Sequence, residues 1–191
     1  MSLERVGLLD GTGNGYYAEV NSSNQLSTRS VLVSGLHDAT LRGDAYAWNT
    51  VTYDITAADT ILTVRNTSTD RLLVINNLYM WTDVNGFFDI HIETIATAFT
   101  ETDGAVVTGV NLNTASNNVA DAGAISDEEA IAAQGSIILT LRSNESATDQ
   151  FAINYPTNDA IVLGTNGRIS IDASAAAAAC EATITGYFID N

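Results

Sequence analysis

The sequence predicts an all-β protein, an antiparallel β-sandwich or barrel with an extended N-terminal arm and one short helix. From residue 60 onward, short runs rich in Ile, Val, Thr, Tyr and Phe follow one another, and these side chains fit a pleated surface. Dipeptides that favour tight hairpins separate the runs, at Asn85-Gly86, Asp103-Gly104 and Asn166-Gly167. Many short strands with regularly spaced turns are typical of a sandwich or a barrel.

The arm is predicted over residues 1–55, and the sandwich over residues 56–191. In the first 55 residues, turn clusters at 11–15 and 21–24 separate short apolar pieces at 6–9 and 31–33. No helical period runs across these pieces. An extended arm with one or two short strands is the simplest interpretation.

The predicted strands of the sandwich have the alternation expected of half-buried β-structure. In residues 87–95, for example, Phe88 and Ile90 lie on one face, and Asp89 and His91 lie on the other. The strands are predicted at residues 60–65, 71–82, 87–95, 105–112, 136–142, 151–155, 160–163, 168–172 and 182–189.

The short helix is predicted to begin at Ser126. This serine and Glu129 form a capping box, and the acidic residues 127–129 favour the positive end of the helix dipole. Residues 130–134 continue the helix, and Gly135 supplies a left-handed end. The alanine run at 175–179 fits either a further helical turn or a closely packed connection.

The charge of the chain excludes several classes of partner. It has 191 residues with 7 Arg, no Lys and 23 acidic residues, for a formal net charge of −16. Binding to DNA or RNA needs clustered basic residues, and so does adhesion to an anionic membrane. We therefore expect neither nucleic acid nor a membrane as a partner.

The acidic, lysine-free composition is typical of proteins adapted to high salt, although a merely acidic mesophilic protein is the alternative. Salt screens the repulsion between carboxylates, and an apolar content of 46% is enough for a folded core. We expect assembly of such a chain to weaken as salt is withdrawn. The single Cys180 excludes an internal disulfide and a cysteine-rich zinc site. We see neither a signal peptide nor a transmembrane segment.

Metal binding is expected to be weak and confined to the surface. Asp89, His91 and Glu93 alternate along one predicted strand and share a face, as metal ligands in barrels do. Asp83 and Asn85 place oxygen donors in a turn. A solvated strand face and a plain hairpin turn explain both groups, so we predict no cofactor and no dedicated metal site, only weakly bound surface Ca²⁺ or Mg²⁺.

The sequence carries no catalytic motif, and we predict that the protein is not an enzyme. The glycines at 11–15 lack the lysine of a phosphate-binding loop, and no Gly-x-Ser-x-Gly elbow is present. Arg42-Gly43-Asp44 matches the tripeptide of integrin ligands, which we interpret as coincidence. Aromatic residues at strand positions fit a core or subunit interface better than a sugar-binding face; they are Tyr46, Trp48, Tyr53, Tyr79 and Trp81.

Several segments resemble virion structural proteins of tailed viruses. The arm contains a Val6-to-Gly13 segment with the letters DGTG, then segments at residues 20–26 and 28–31 that include Leu26 and the pair Thr28-Arg29. Residues 43–49 and the segment 185–189 complete the resemblance, which spans most of the chain. It implies a jelly-roll-like sandwich and a role as a capsid decoration (cement) protein, with the acidic composition fitting a virus of a halophilic host.

The resemblance also implies partners and contacts. Such proteins lie on the capsid surface as symmetric oligomers, here expected to be a homotrimer bound to the major capsid protein. The alternative function is a carbohydrate-binding fibre or receptor-binding head. The apolar residues of the arm are the predicted capsid and subunit contacts: Val6, Leu8, Leu9, Val31, Val33, Leu36, Tyr46 and Trp48.

Overall fold

The computed structural model describes residues 34–94, 104–126, 135–143, 145–146, 149–150 and 152–191. The described residues belong to one compact unit, Ser34–Asn191. The contacts predicted for Val6, Leu8, Leu9, Val31 and Val33 lie outside the described residues, and so does the predicted helix at 127–134.

The described chain is built almost wholly of strands. The single helix in these residues is α1 (Gly35–Arg42). The strands are β1 (Ala45–Asn49), β2 (Tyr53–Ile55), β3 (Asp59–Asn66), β4 (Arg71–Thr82), β5 (Gly86–Thr94), β6 (Ala105–Val106), β7 (Val110–Asn111), β8 (Ala122–Ser126), β9 (Ser136–Ser143), β10 (Glu145–Ser146), β11 (Asp149–Gln150), β12 (Ile153–Leu163), β13 (Gly167–Ala173) and β14 (Ala177–Asp190).

Two antiparallel sheets form a sandwich, as the sequence predicts. The first sheet has the order β12-β4-β14-β1-β7, and β2 also pairs with β14. The second has the order β6-β8-β3-β13-β5-β9. Strands β10 and β11 form a separate two-stranded ribbon.

The core lies between the two sheets, where the apolar faces of their strands meet. Ile169 and Ile171 of β13 are fully buried against Leu62 and Ile90 in the same cluster. Side chains of the first sheet complete this core. A second, smaller cluster lies under α1, where Ala39 and Leu36 pack with Ala45, Val74, Tyr187 and Ile189.

Residues 45–49 and 53–55, which the prediction places in the arm, pair with the first sheet. Strand β1 pairs with β14 along its whole length, with Ala45 opposite Tyr187 and Asn49 opposite Thr183. It is therefore an integral strand of the first sheet. Strand β2 also joins this sheet, so residues 45–55 belong to the sandwich.

Helix α1 was not predicted, although its two ends carry ordinary signals. The Ser34 side chain accepts a hydrogen bond from the His37 N–H, which caps the first turn. Gly43 adopts a left-handed conformation with φ of 78°, and its N–H bonds to the carbonyl groups of Ala39 and Thr40. The helix is only two turns long, so its apolar spacing is hard to detect in the sequence.

Two predicted strand boundaries also differ from the structure. The predicted strand 105–112 is two short pieces, β6 and β7, which join different sheets. The runs at 151–155 and 160–163 are one strand, β12, whose register with β4 shifts between Pro156 and Ile161. Ser126, the predicted helix cap, ends β8, and its hydroxyl donates to the carbonyl of Ala105.

No helix in the described part of the chain is long and apolar enough to cross a membrane.

Candidate functional site

Of the three predicted contact residues in 34–55, Tyr46 and Trp48 lie in the interior. Tyr46 and Trp48 are 1% and 0% exposed and belong to the main core. Leu36 is half-buried in the small cluster beneath α1. Tyr46 and Trp48 therefore cannot contact a capsid or stack on a sugar, and their role as contacts is a correction to the prediction.

A buried polar array on the outer face of the second sheet is the most unusual feature of the described chain. Strand β13 is buried along its entire length, so the side chains opposite its apolar ones are also shielded from water. These are Arg168, Ser170 and Asp172, which are 1%, 0% and 8% exposed. Buried polar groups of this kind need partners inside the protein.

Strand β5 supplies most of those partners in a fixed register. Arg168 lies opposite Glu93, Ser170 opposite His91 and Asp172 opposite Asp89. The predicted metal candidates of β5 therefore face the polar side chains of β13.

We call the facing polar side chains of β13 and β5 the ladder, and each of them has its own contact. The Arg168 guanidinium forms an ion pair with the Glu93 carboxylate. His91 Nε2 lies 2.9 Å from an Asp172 carboxylate oxygen. Ser170 and Thr63 of β3 share a hydrogen bond of 2.9 Å between their hydroxyl groups, and the Thr140 hydroxyl of β9 donates to Asp89.

The electrostatics of the array follow from its burial. Desolvation raises the pKa of Asp172, and the neighbouring Asp89 charge adds to this effect. The hydrogen bond from Thr60 and the charges of His91 and Arg168 oppose it. Desolvation likewise lowers the pKa of Arg168, while the Glu93 carboxylate opposes that shift.

The array is not arranged as a metal centre. Glu93 is engaged by Arg168, His91 by Asp172, and Asp89 by Thr140. Within the described ranges, no group of three or more His, Cys, Asp or Glu side chains is positioned to hold a metal ion. Asp89, His91 and Glu93, the predicted metal candidates on this strand face, thus serve as hydrogen-bond and ion-pair partners within the ladder.

The other metal candidates, Asp83 and Asn85, lie in the turn between β4 and β5, as predicted. The Asp83 N–H bonds to the Ala179 carbonyl at 3.0 Å, which ties this turn to the start of β14. One buried Asp83 carboxylate oxygen has no hydrogen-bond partner in the described atoms. The turn is thus held by a backbone hydrogen bond to the start of β14, and one Asp83 carboxylate oxygen remains without a partner among the described atoms.

A cavity of about 370 Å³ adjoins the array, between β3, β5, β9 and the end of β13. Asp59, Asp89, His91 and Asp172 line its polar side, and Ile137 lies on its apolar side. The nearby hydroxyls are engaged, because Ser170 bonds Thr63 and Ser174 Oγ accepts from the Phe87 N–H. The chemistry present is therefore that of a carboxylate–imidazole pair held against a small polar cavity.

A second ionic cluster explains the Arg42-Gly43-Asp44 tripeptide. Arg42 ends α1 and pairs with Asp38 and Asp44 at 3.6 and 3.9 Å, and Gly43 caps the helix. Asp44 also accepts from Arg71, at 3.2 Å. The tripeptide therefore forms the end of α1, and its aspartate, Asp44, is already paired with Arg42 and Arg71.

Arg71 is the centre of this second cluster. Besides Asp44, its guanidinium pairs with Asp121 and lies 4.8 Å above the Phe188 ring. It thereby joins β4 and β14 to the residue before β1 and to the segment before β8.

Sequence reasoning missed the β13 side of the buried array. The signal was present as charge complementarity between two alternating runs, residues 89–93 and 168–172, which place Glu93 opposite Arg168 when paired antiparallel. The fold and these contacts define an antiparallel β-sandwich with a buried polar ladder on one sheet. No family model, curated protein or solved structure matches the chain.

Proposed function

We propose that the protein is a capsid decoration protein of a tailed virus, which binds the head shell and reinforces it. The observation that carries the proposal is the order of the eight main strands. One sheet contains β1-β14-β4-β12 and the other β3-β13-β5-β9. Consecutive main strands alternate between the sheets except for β5 and β9, and this order supports a jelly-roll-like arrangement, an architecture common in viral capsid domains.

The resemblance of the N-terminal segments to virion proteins supports the same function. Residues 1–33 carry the apolar groups Val6, Leu8, Leu9, Val31 and Val33 among turn-forming residues. We propose that this shortened arm, rather than residues 1–55, carries the contacts with the major capsid protein. The homotrimer, the capsid-surface location and the halophilic host are parts of this proposal.

The negative charge of the chain permits assembly only where the contacts avoid the repulsion between subunits or cations screen it. Subunits with a net charge of −16 repel one another, so contacts between them must be apolar, hydrogen-bonded or screened by cations. Dense packing on a capsid is therefore favoured in salt-rich medium.

The test is a binding experiment with capsids that lack the protein. The full chain is compared with a chain lacking residues 1–33, in molar salt, by co-sedimentation with the capsids. We expect the full chain to sediment with them and the truncated chain to remain in solution. The cut at 33/34 leaves α1 and β1 intact, so circular dichroism and thermal unfolding of the truncated chain serve as the folding control.

Three results would contradict the proposal. Binding by the truncated chain that equals binding by the full chain would remove the arm from the contact. Failure of the full chain to bind capsids at all would remove the function, and a low copy number in purified virions would favour a fibre instead.

A further inference from the structure

Three Asn-Gly pairs occur in the chain, at residues 14–15, 85–86 and 166–167. The first pair lies outside the described residues, and each of the other two ends a turn of the sandwich. In such a pair the asparagine side chain is open to attack by the next backbone nitrogen, because glycine has no Cβ to obstruct the approach. The two described pairs have the same local chemistry, so a difference in their reactivity must come from the fold.

The reaction converts asparagine to an acid. The glycine backbone nitrogen loses its proton and bonds to the side-chain carbonyl carbon of asparagine, and the amide nitrogen leaves as ammonia. Water then opens the cyclic succinimide at either carbonyl, which gives aspartate or isoaspartate. The net change consumes water and releases ammonia, without an oxidant or a reductant. The asparagine side chain must therefore reach the following nitrogen, and that nitrogen must be able to lose its proton.

The turn that carries Asn166 holds the groups that this reaction uses. The Gly167 N–H donates to the Gly164 carbonyl at 2.8 Å, and the Asn166 N–H donates to the Asn66 carbonyl at 2.9 Å. The Asn166 side-chain oxygen accepts a hydrogen bond from the Arg65 guanidinium. Gly167 is also buried. Ring closure at Asn166 therefore requires that several hydrogen bonds break first.

The turn that carries Asn85 is anchored at the residues before it. The Asp83 N–H donates to the Ala179 carbonyl at 3.0 Å, and the Val84 N–H donates to the Thr82 hydroxyl at 3.4 Å. Asn85 itself is exposed, so water competes for any hydrogen bond that its side-chain amide makes. The side chain can therefore rotate at little cost.

Gly86, the residue that supplies the attacking nitrogen, is half-buried at the end of a strand ladder. It is the first residue of β5, and its pairing with Ser143 is the terminal pair between β5 and β9. Terminal pairs open at a lower free energy than inner ones. Gly167 also begins a strand, β13, but it is buried and its N–H is bonded within its own turn. Opening of a single terminal pair is thus sufficient only at Gly86.

We propose that Asn85 is a site of spontaneous deamidation in the folded protein, whereas Asn166 reacts only after its turn has opened. The product adds a carboxylate two residues after Asp83, and its isoaspartate form lengthens the backbone between β4 and β5. The charge and shape of this turn therefore change as the protein ages. The proposal does not depend on capsid binding, because it concerns the free protein.

The test compares the two pairs within one molecule. The full chain is incubated in mildly alkaline buffer, folded in molar salt and, in parallel, unfolded in urea. Peptide mapping by mass spectrometry follows the acid and isoacid forms at each pair over time. In the folded protein, we expect them to accumulate at Asn85 at least about tenfold faster than at Asn166. In urea the two rates should be similar, and the rate at Asn85 should rise with pH because the Gly86 nitrogen must lose its proton.

Three results would overturn the proposal. Equal rates at the two pairs in the folded protein would show that the fold does not select between them. Protection of both pairs in the folded protein would show that the turn at Asn85 is held as firmly as the turn at Asn166. A preference for Asn85 that persists unchanged in urea would mean that the fold is not its cause.

The variant Asn85→Gln confirms the assignment to this residue. Glutamine keeps the amide, but ring closure must then form a larger ring and is slower. Acid formation at position 85 should fall to background, while the rate at Asn166 and the circular dichroism spectrum stay as in the wild type. An undiminished rate of acid formation at position 85 would contradict attack by the Gly86 nitrogen.

Discussion

Strand β13 is buried on both faces, and the two faces hold opposite kinds of side chain. The inner face places Ile169, Ile171 and Ala173 in the main core. The outer face places Arg168 and Asp172 in contact with polar groups of β5. Apolar burial stabilises a fold without requiring a particular partner. The outer face is favourable only while each charge keeps its partner, so it specifies the register between β13 and β5.

The largest expected effect is on the inner face. Ile171→Ala should lower the free energy of unfolding by about 2–5 kcal/mol, because it leaves a cavity in a fully packed core. Chemical denaturation followed by circular dichroism measures this loss. Val162→Ala, at a half-exposed position of β12, is the matched control and should cost much less. Equal losses would show that the β13 core is loosely packed.

A smaller effect is expected on the outer face when one partner of the ion pair is removed. Glu93→Gln leaves the Arg168 guanidinium buried without its carboxylate and should cost about 2–3 kcal/mol. Arg168→Met should cost less, because Glu93, whose side chain is 24% exposed, keeps access to water.

A double-mutant cycle with both changes measures their coupling. A coupling near zero would contradict the ion pair as a source of stability and would leave the outer face equivalent to an ordinary solvated surface.

The smallest effect is a pH dependence at Asp172. Its pKa is raised in the folded state by burial, above the ordinary value of 3.8, so the folded protein binds this proton more tightly than the unfolded chain does. The stability that this group contributes is therefore present below pH 3.8 and is lost as pH rises through the raised pKa. Asp172→Asn removes this dependence.

The measurement is the difference in unfolding free energy between Asp172→Asn and wild type across the acidic range. The unfolding free energy of Asp172→Asn relative to that of the wild type should increase as pH rises from 3.8 through the raised pKa. Asp54→Asn, at an exposed position, is the control and should give no such trend. A difference that moves the other way would mean that His91, Thr60 and Arg168 outweigh desolvation at Asp172.

The sequence predicts the inner face of β13 better than its outer face. Alternation of apolar and polar residues is a local signal, and it places β4 at residues 71–82 and β5 within one residue of its bounds. It also separates Ile169 and Ile171 from Arg168 and Asp172. Alternation alone cannot tell whether the polar face meets water or another part of the protein, which is why the buried array was interpreted as a solvated face.

The same limitation explains the error at β1. Tyr46 and Trp48 are surrounded in the sequence by turn-forming residues, and their pairing partners are Gly186 and Ile184. A five-residue strand with partners so distant leaves little local signal. The helix α1 is missed for a related reason, since its stability comes from packing on Val74 and Tyr187 rather than from its own two turns.

The position of β14 has a consequence for how the chain folds. This strand lies in the middle of the first sheet, between β4 and β1, yet it comes after all the other described strands. During synthesis, β1 and β4 have no common neighbour until residues 177–190 have left the ribosome. Pairing over such a separation is slow, so we expect the nascent chain to expose both edges for seconds, a period in which neighbouring chains can pair wrongly.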